Sequence, residues 1–475
     1  MGLASQLSLV ASERPDQAAL IEARGGATLR YGELMQLANG LADRLAAAGL
    51  QPGQRLLVEA SGRSRTVAWL LAGWLRGAVV VPLSPDLSSR ERDFFTEHAG
   101  AALAVSAAAE QPGSTGVQPG SPLPRLPGGA GAAAILYTSG STGDPKGVEL
   151  SHRALLANAA RVGQRYGLGA STRFLSVLPL FHGHGLVVTC LAPLLAGGTV
   201  VLDGPFDAFA ASRFWSAIDG HGVTVFSSVP PVLRLLVALC PPRSPVASSP
   251  LRFGLCASAS LPPSLQASFE GRFGCPVGNS YGLTETAAWC SYGEPDPQLR
   301  APGSVGRPEP GALRVLAPPD QVGEIQVRGP TVMTGYFRNP EATRRAFDGE
   351  WLRTGDLGRL DPEGRLFLAG RRRDVINHGG FSVYPEEVDE VLVEHPCVSQ
   401  AATVERASDT HGEAPVAFVV LCGPVDSAAL RAHCRGRLAP HKIPVEFLLI
   451  DDLPRGATHK VCKDQLRAML NGQEA

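Results

Sequence analysis

Residues 135–147 read ILYTSGSTGDPKG, an apolar run that breaks into glycines and small hydroxyl residues around one lysine, Lys146. The residues on either side, AAAILY before and GVELSH after, both read as strands. The unit is therefore strand–loop–strand. It differs from the strand–loop–helix of nucleotide triphosphatases, whose loop closes on Gly-Lys-Ser/Thr, because Pro145 precedes Lys146 and no Ser or Thr follows it. Gly140 and Gly143 still let backbone N–H groups converge on an anion, while Ser139, Ser141 and Thr142 add hydroxyl donors. Lys146 supplies a mobile charge suited to a leaving pyrophosphate. A flexible hairpin tip has the same composition, so the loop alone leaves both readings open.

Working outward, strands and helices alternate. Leu34, Leu37, Leu41 and Leu45 share one helical face, with Gly49 as a stop. RLLVEA and AVVVPL are short apolar strands that flank a helix through TVAWLLAGWLRG. Ser88 and Glu91 form a capping-box pattern ahead of the next helix. The alternation resumes from GGTVVLDG through VTVFSSVPPVLRLLVAL to LRFGLCASASLPPSLQASFEGRFG. This pattern predicts an α/β protein whose sheets are mainly parallel and covered by helices. Residues 108–131, rich in Pro, Gly, Ser and Ala, read as an exposed connector. After about residue 310 the texture turns to short strands and turns, then to a compact tail with two helical stretches. The predicted organisation is a large multi-lobed N-terminal domain over 1–370, a hinge at 371–373 and a small α+β domain over 374–475. The basic run Arg371-Arg372-Arg373 could equally be a solvated turn.

Composition narrows the function. With 43 basic and 44 acidic residues, the net charge of −1 offers no field to draw nucleic acid or an anionic membrane. The nine cysteines form no CxxC pair and no regular spacing, which suits small buried residues in a reducing compartment. The expectation is a soluble cytoplasmic protein with no nucleic-acid or membrane partner.

YTSGSTGDPKG resembles the phosphate-loop signature of the adenylate-forming superfamily, which includes acyl-CoA synthetases, adenylation domains and luciferases. Four further blocks resemble that superfamily's other signatures in order: NSYGLTE at 279–285, GEIQVRGPTVMTGYFRNPEAT at 323–343, WLRTGDLGRLDPEGRLFLAGRRRDVINHGGFSVYPEEVDEVL at 351–392, and PRGATHKV at 454–461. The resemblance covers nearly the whole chain. It implies ATP-dependent activation of a carboxylic acid to acyl-AMP, followed by transfer to a thiol, with ATP, Mg²⁺ and coenzyme A as cofactors and substrates.

Such chemistry presses a carboxylate against the α-phosphorus, anion against anion, so the site must supply positive charge and positioning. By the resemblance, Thr138, Ser139, Gly140, Ser141, Thr142, Gly143 and Lys146 hold the β- and γ-phosphates. Tyr281 and Gly282 lie along the adenine, bordered by Asn279 and by Ser258, Ala259 and Ser260. Thr284 contacts the α-phosphate, and Glu285, with Thr138 beside it, holds Mg²⁺, a hard cation that favours carboxylate and phosphate oxygens. Asp356 matches the ribose-binding aspartate and Arg371 its partner. Lys460 matches the lysine that bridges the incoming carboxylate and the α-phosphate. In the second half-reaction the small, mobile C-terminal domain turns about Arg373, withdraws Lys460, and presents Gly379 and Gly380 to the pantetheine arm.

VLPLFHGHGLV resembles the acid:CoA ligase branch, with His182 near the acid. His182 and His184 could instead be two metal ligands, although no third ligand lies nearby in sequence. The acid pocket is expected to include His182, Ser228, Ala257, Gly282, Ala288 and Trp289, with the bulk of Trp289 selecting a compact aryl or short-to-medium acyl monocarboxylic acid; a buried core tryptophan is the alternative reading of Trp289. One departure stands out: His459 occupies a position where the family carries glycine. Two alternatives stay open, a stand-alone enzyme that loads a carrier protein and a degenerate paralogue that binds nucleotide without turnover.

Overall fold

The computed structural model describes residues 2–106, 117–119, 131–138, 145–204, 206–243, 250–408, 410–455, 461–470 and 472. The chain forms two compact units. The first is Met1–Leu261, Leu265–Ala312 and Val327–Leu352, and the second is Pro262–Ser264, Leu313–Gln326 and Arg353–Ala475. The segment 371–373 lies inside the second unit, whose start precedes it.

The first unit is built on two seven-stranded sheets. In one, Val277–Asn279, Phe253–Cys256, Val225–Ser228, Arg173–Ser176, Thr199–Leu202 and Ala18–Glu22 run parallel side by side, and Thr28–Arg30 closes the edge antiparallel. In the other, Arg55–Glu59 is flanked by Val79–Leu83 and Ala101–Ser106, all parallel, and the hydroxyl loop's two strands lie further out. Val79–Leu83 is buried along its whole length, as expected of a strand covered on both faces. One cover is the helix Ser64–Leu75, whose Trp74 indole donates to the Ala133 carbonyl at 2.9 Å. Another helix, Tyr31–Ala47, buries Leu34, Leu41 and Leu45. The Ser88–Glu91 capping box forms as the sequence suggests, with the Ser88 N–H donating to Glu91 at 2.9 Å. The connector reading of 108–131 needs one amendment, because Val117–Pro119 pairs antiparallel with Ala101–Ser106.

Two features place the site. A three-stranded sheet of Tyr281–Leu283, Ala288–Tyr292 and Arg307–Pro308 carries the YGLTE block. The segment His184–Leu191 is an eight-residue π-helix, entirely buried. Wide turns of this kind are rare and gather at functional positions.

In the second unit, Phe381–Val383, Ile376–His378, Gly412–Leu421 and Val398–Ser408 form a sheet, with Glu446–Leu449 parallel to Gly412–Leu421. The helices Pro385–Val393 and Ser427–Arg435 bury Val388, Leu392, Leu430 and Cys434 into its core. The basic run is not merely solvated. Arg371 pairs with Asp356 at 3.1 Å, Arg372 with Glu324 at 3.4 Å and Arg373 with Asp374 at 3.7 Å. No helix among the described residues is long and apolar enough to cross a membrane.

Candidate active site

The strands Ala132–Thr138 and Lys146–Ser151 pair antiparallel and bring Thr138 opposite Lys146, so the loop they carry springs from a closed hairpin base. The Thr138 hydroxyl donates to the Lys146 carbonyl at 3.4 Å. Ser139, Gly140, Ser141, Thr142 and Gly143 lie outside the described residues. The short strand Gly335–Tyr336 pairs beside Lys146–Ser151 and sets the Tyr336 ring 5.4 Å from the Lys146 ammonium. The Tyr336 phenol donates to Glu285 Oε1 at 2.8 Å. Burial first, and then the Glu285 charge, push the phenol's pKa up, so it remains a donor. Through this ring Lys146 and Glu285, read separately from the sequence, are brought to one place, and Thr138 lies opposite Lys146 in the hairpin base. A half-buried carboxylate with hydroxyls nearby is a donor set that suits Mg²⁺.

The segment leading to Glu285 is shaped by the backbone. Gly282 sits opposite Trp289 in the Tyr281–Leu283 and Ala288–Tyr292 pairing, and a Cβ there would collide with the Ala288 carbonyl. Thr284, Glu285 and Thr286 make a 3₁₀ turn that ends on Ala287 at φ +62°. Asn158, buried on the helix His152–Arg165, clamps this turn from behind, since its Nδ2 donates to the carbonyls of Thr286 at 3.0 Å and Trp289 at 2.8 Å. Tyr281 and Asn279 are both buried, and the Asn279 side-chain oxygen has no partner among the described residues.

His182 is half-buried beside Phe181 and begins the run into the π-helix. His184, the first residue of that helix, is 7% exposed. Its Nε2 lies 2.8 Å from Ser227 Oγ and its Nδ1 3.0 Å from Ser258 Oγ. Both nitrogens are therefore engaged by hydroxyls, and no group of three or more His, Cys, Asp or Glu among the described residues could hold a metal. The two-histidine metal alternative gains nothing. Trp289, 2% exposed, packs its ring 5.1 Å from that of His184 and 6.1 Å from that of Tyr166. Ser228, Ala257 and Ala288 are buried, and the Ala257 N–H donates to the Ser228 carbonyl at 3.3 Å. Ser258, Ala259 and Ser260 are exposed.

In the second unit, Asp356 and Arg371 face each other across Trp351–Leu360 and Leu366–Arg371. Gly379 and Gly380 turn at φ +59° and +84°, and the Gly379 N–H donates to the His411 carbonyl at 2.9 Å. His378 stacks on His411 with ring centroids 4.5 Å apart. Lys460 and His459 lie outside the described residues.

With this geometry, the AMP-binding enzyme model matches residues 7–337, and the model of that family's C-terminal domain matches 387–460. The chain belongs to the AMP-binding enzyme family. A sulfoacetate–CoA ligase of Cupriavidus necator is 39% identical over 97% of this chain and 96% of its own. An indoleacetate–CoA ligase of Aromatoleum aromaticum is 38% identical over 71% of this chain and 67% of its own. Among solved structures, the o-succinylbenzoate CoA synthetase of Bacillus subtilis bound to its acyl-adenylate intermediate superposes with a TM-score of 0.86 at 31% identity, over 97% of each chain. The same enzyme has been solved with ATP and a magnesium ion.

In this AMP-binding enzyme, the sequence did not single out Tyr336 or Asn158, nor the bridging role of His184. Burial, and secondarily the charge of His182, pull the His184 imidazole down to about 3, so it stays neutral near pH 7. By linkage, the unfolded chain takes up this proton below about pH 6.5 and the folded one does not, so the stabilising term is full above 6.5 and is lost as pH falls toward 3. His184→Gln lacks this term. The stability of wild type relative to His184→Gln, as unfolding free energy from denaturant titrations, is therefore expected to fall from pH 7 to pH 4, at up to about 1.4 kcal/mol per pH unit. A difference that does not change with pH would mean that His184 is protonated equally in both states.

Proposed function

We infer that this chain is an ATP-dependent acid:CoA ligase, which forms acyl-AMP and pyrophosphate and then passes the acyl group to the thiol of coenzyme A with release of AMP. The observation that carries the reading is the convergence of Lys146, Tyr336 and Glu285 at the base of the hydroxyl loop, a cation and an anchored carboxylate suited to Mg²⁺ and a polyphosphate together. Bound there, Mg²⁺ would neutralise charge on the phosphates, with Glu285 and Thr138 as its protein ligands. Lys146 and the hydroxyl loop hold the departing pyrophosphate, Thr284 the α-phosphate, and Asp356 with Arg371 the ribose. Lys460 orients the acid carboxylate. Rotation about 371–373 then exchanges Lys460 for the Gly379–Gly380 turn, where the pantetheine passes. ATP and coenzyme A as substrates suit the cytoplasm.

The acid is proposed to be a compact aryl or short-to-medium acyl monocarboxylate. The related enzymes act on sulfoacetate, indoleacetate and o-succinylbenzoate by name, and the first and third of these carry a second anionic group. Here the imidazole packed on Trp289 is that of His184, which is held neutral and bonded to two serine hydroxyls, and this favours an uncharged tail. ATP–pyrophosphate exchange with benzoate, indoleacetate, butyrate, hexanoate and sulfoacetate tests this reading. Strongest exchange with sulfoacetate would overturn the monocarboxylate assignment, and exchange with none would favour a non-catalytic paralogue. Adding coenzyme A or a phosphopantetheinylated carrier protein to the active pair separates the two acceptors.

Trp289 sets the size limit in this reading. Complete truncation would cost about 3–5 kcal/mol of stability at so buried a position, so the informative variant is Trp289→Leu. It frees room for one or two methylenes, each worth about 0.8 kcal/mol when buried. The kcat/KM optimum is expected to move toward longer acids by roughly fourfold per methylene. An unchanged chain-length profile in the folded variant would remove Trp289 from the pocket.

A further inference from the structure

The imidazole of His184 is more fully engaged than a pocket wall requires. A neutral imidazole has one N–H and one lone pair, and here each faces a serine. The Ser227 hydroxyl also lies 3.4 Å from the Leu255 carbonyl. The tautomer with the proton on Nε2 satisfies all three contacts in one chain: Ser258 O–H donates to Nδ1, Nε2–H donates to Ser227 Oγ, and Ser227 O–H donates to Leu255.

The far end of that chain is unusual. Ser258 has φ +73°, in the left-handed region that a serine enters only when its surroundings impose it. It also marks a change of environment. Cys256 and Ala257 are buried at the end of the strand Phe253–Cys256, whereas Ser258, Ala259 and Ser260 are exposed. The hydrogen bond to His184 is thus made at the residue where the backbone reverses into the open. On its other side the same imidazole packs against Trp289 with the rings inclined at 59°.

We propose that His184 is a positioning residue that, through Ser258, holds the left-handed backbone of the 257–260 strip beside the nucleotide and, through Trp289, ties that strip to the acid pocket. The proposal rests on the reading of the chain as a nucleotide-dependent acid ligase. Loss of the imidazole frees Ser258 to relax toward negative φ, which moves the strip and weakens nucleotide binding. Glycine at 258 adopts the left-handed conformation without help, so it should make the imidazole dispensable for the nucleotide. A histidine that only fills space predicts no such suppression.

The test compares His184→Leu, which keeps similar bulk and removes both hydrogen bonds, with the double variant His184→Leu/Ser258→Gly. The readout is AMP affinity by calorimetry, with KM for ATP and kcat in pyrophosphate exchange alongside. His184→Leu is expected to weaken AMP binding and raise KM for ATP by about tenfold, the scale of one hydrogen bond, and to change kcat less. The double variant is expected to recover most of that loss. A double variant no better than the single one, or unchanged AMP affinity in His184→Leu, would overturn the proposal. Should His184→Leu fail to fold, His184→Gln retains one donor and one acceptor and is expected to keep AMP affinity within about threefold of wild type; a tenfold loss in folded His184→Gln would count equally against it. AMP binding is read without any acid, so an enzyme inactive with every acid would refute the ligase reading while leaving this test intact.

Discussion

Lys460→Ala is expected to lower acyl-adenylate formation by about 10²–10³-fold, the scale of losing one positioned charge at a transition state. In the first half-reaction an acid carboxylate attacks a phosphorus surrounded by anionic oxygens, and in the proposed mechanism Lys460 alone bridges attacker and target. In the second, a thiol attacks an acyl-AMP already made, and the lysine has been withdrawn. The variant should therefore convert supplied acyl-AMP and coenzyme A to product at close to the wild-type rate. Burst measurements of the two half-reactions separate these outcomes, and equal loss in both would sink the two-conformation scheme.

Glu285→Gln should cost nearly as much. The substitution keeps the size of the side chain and an oxygen for the Tyr336 phenol at 2.8 Å, and removes only the charge. Because a bound divalent cation contributes several kcal/mol at a developing anion, pyrophosphate exchange is expected to fall at least about 100-fold, with partial recovery at raised magnesium. Tyr336→Phe should cost closer to tenfold, the worth of one hydrogen bond to a charged group, and should leave the magnesium dependence nearly unchanged. If Glu285→Gln keeps wild-type exchange at ordinary magnesium, Glu285 is not the metal's ligand and Tyr336 orients it for some other purpose.

Local signals in the sequence announced local structure well. The hydroxyl loop reads as strand–loop–strand because its flanks are apolar runs, and Thr138 and Lys146 do face each other across a hairpin base. Ser88 and Glu91 announce a helix start through chemistry contained within four residues. Long-range partnerships left no such trace. Tyr336 meets Glu285 across 51 residues of chain, and within MTGYFRNP nothing distinguishes that tyrosine from one in a turn. Asn158 has apolar neighbours on its helix, and its two bonds go to carbonyls 128 and 131 residues away. The histidine pair is ambiguous in the sequence for a different reason. Its spacing allows shared ligation, whereas the fold sends His184 inward to two serines on separate segments, which only tertiary structure brings together.

The π-helix at His184–Leu191 carries a consequence for sequence change over evolutionary time. An α-helix with one extra residue accommodates it by bulging into a wider turn, so this stretch can be regarded as an insertion retained in place. Deleting any one residue between 185 and 190 would let the segment regain ordinary α-helical winding and would rotate its N-terminal end by about 100° relative to its C-terminal end. His184 would then leave the serines it bridges. Point substitutions of similar bulk among Leu186, Val187 and Val188 should be tolerated as in any apolar core, but a gap should not. In an aligned family, the length of this segment would then report whether the imidazole bridge is present more faithfully than the identity of the residues within it.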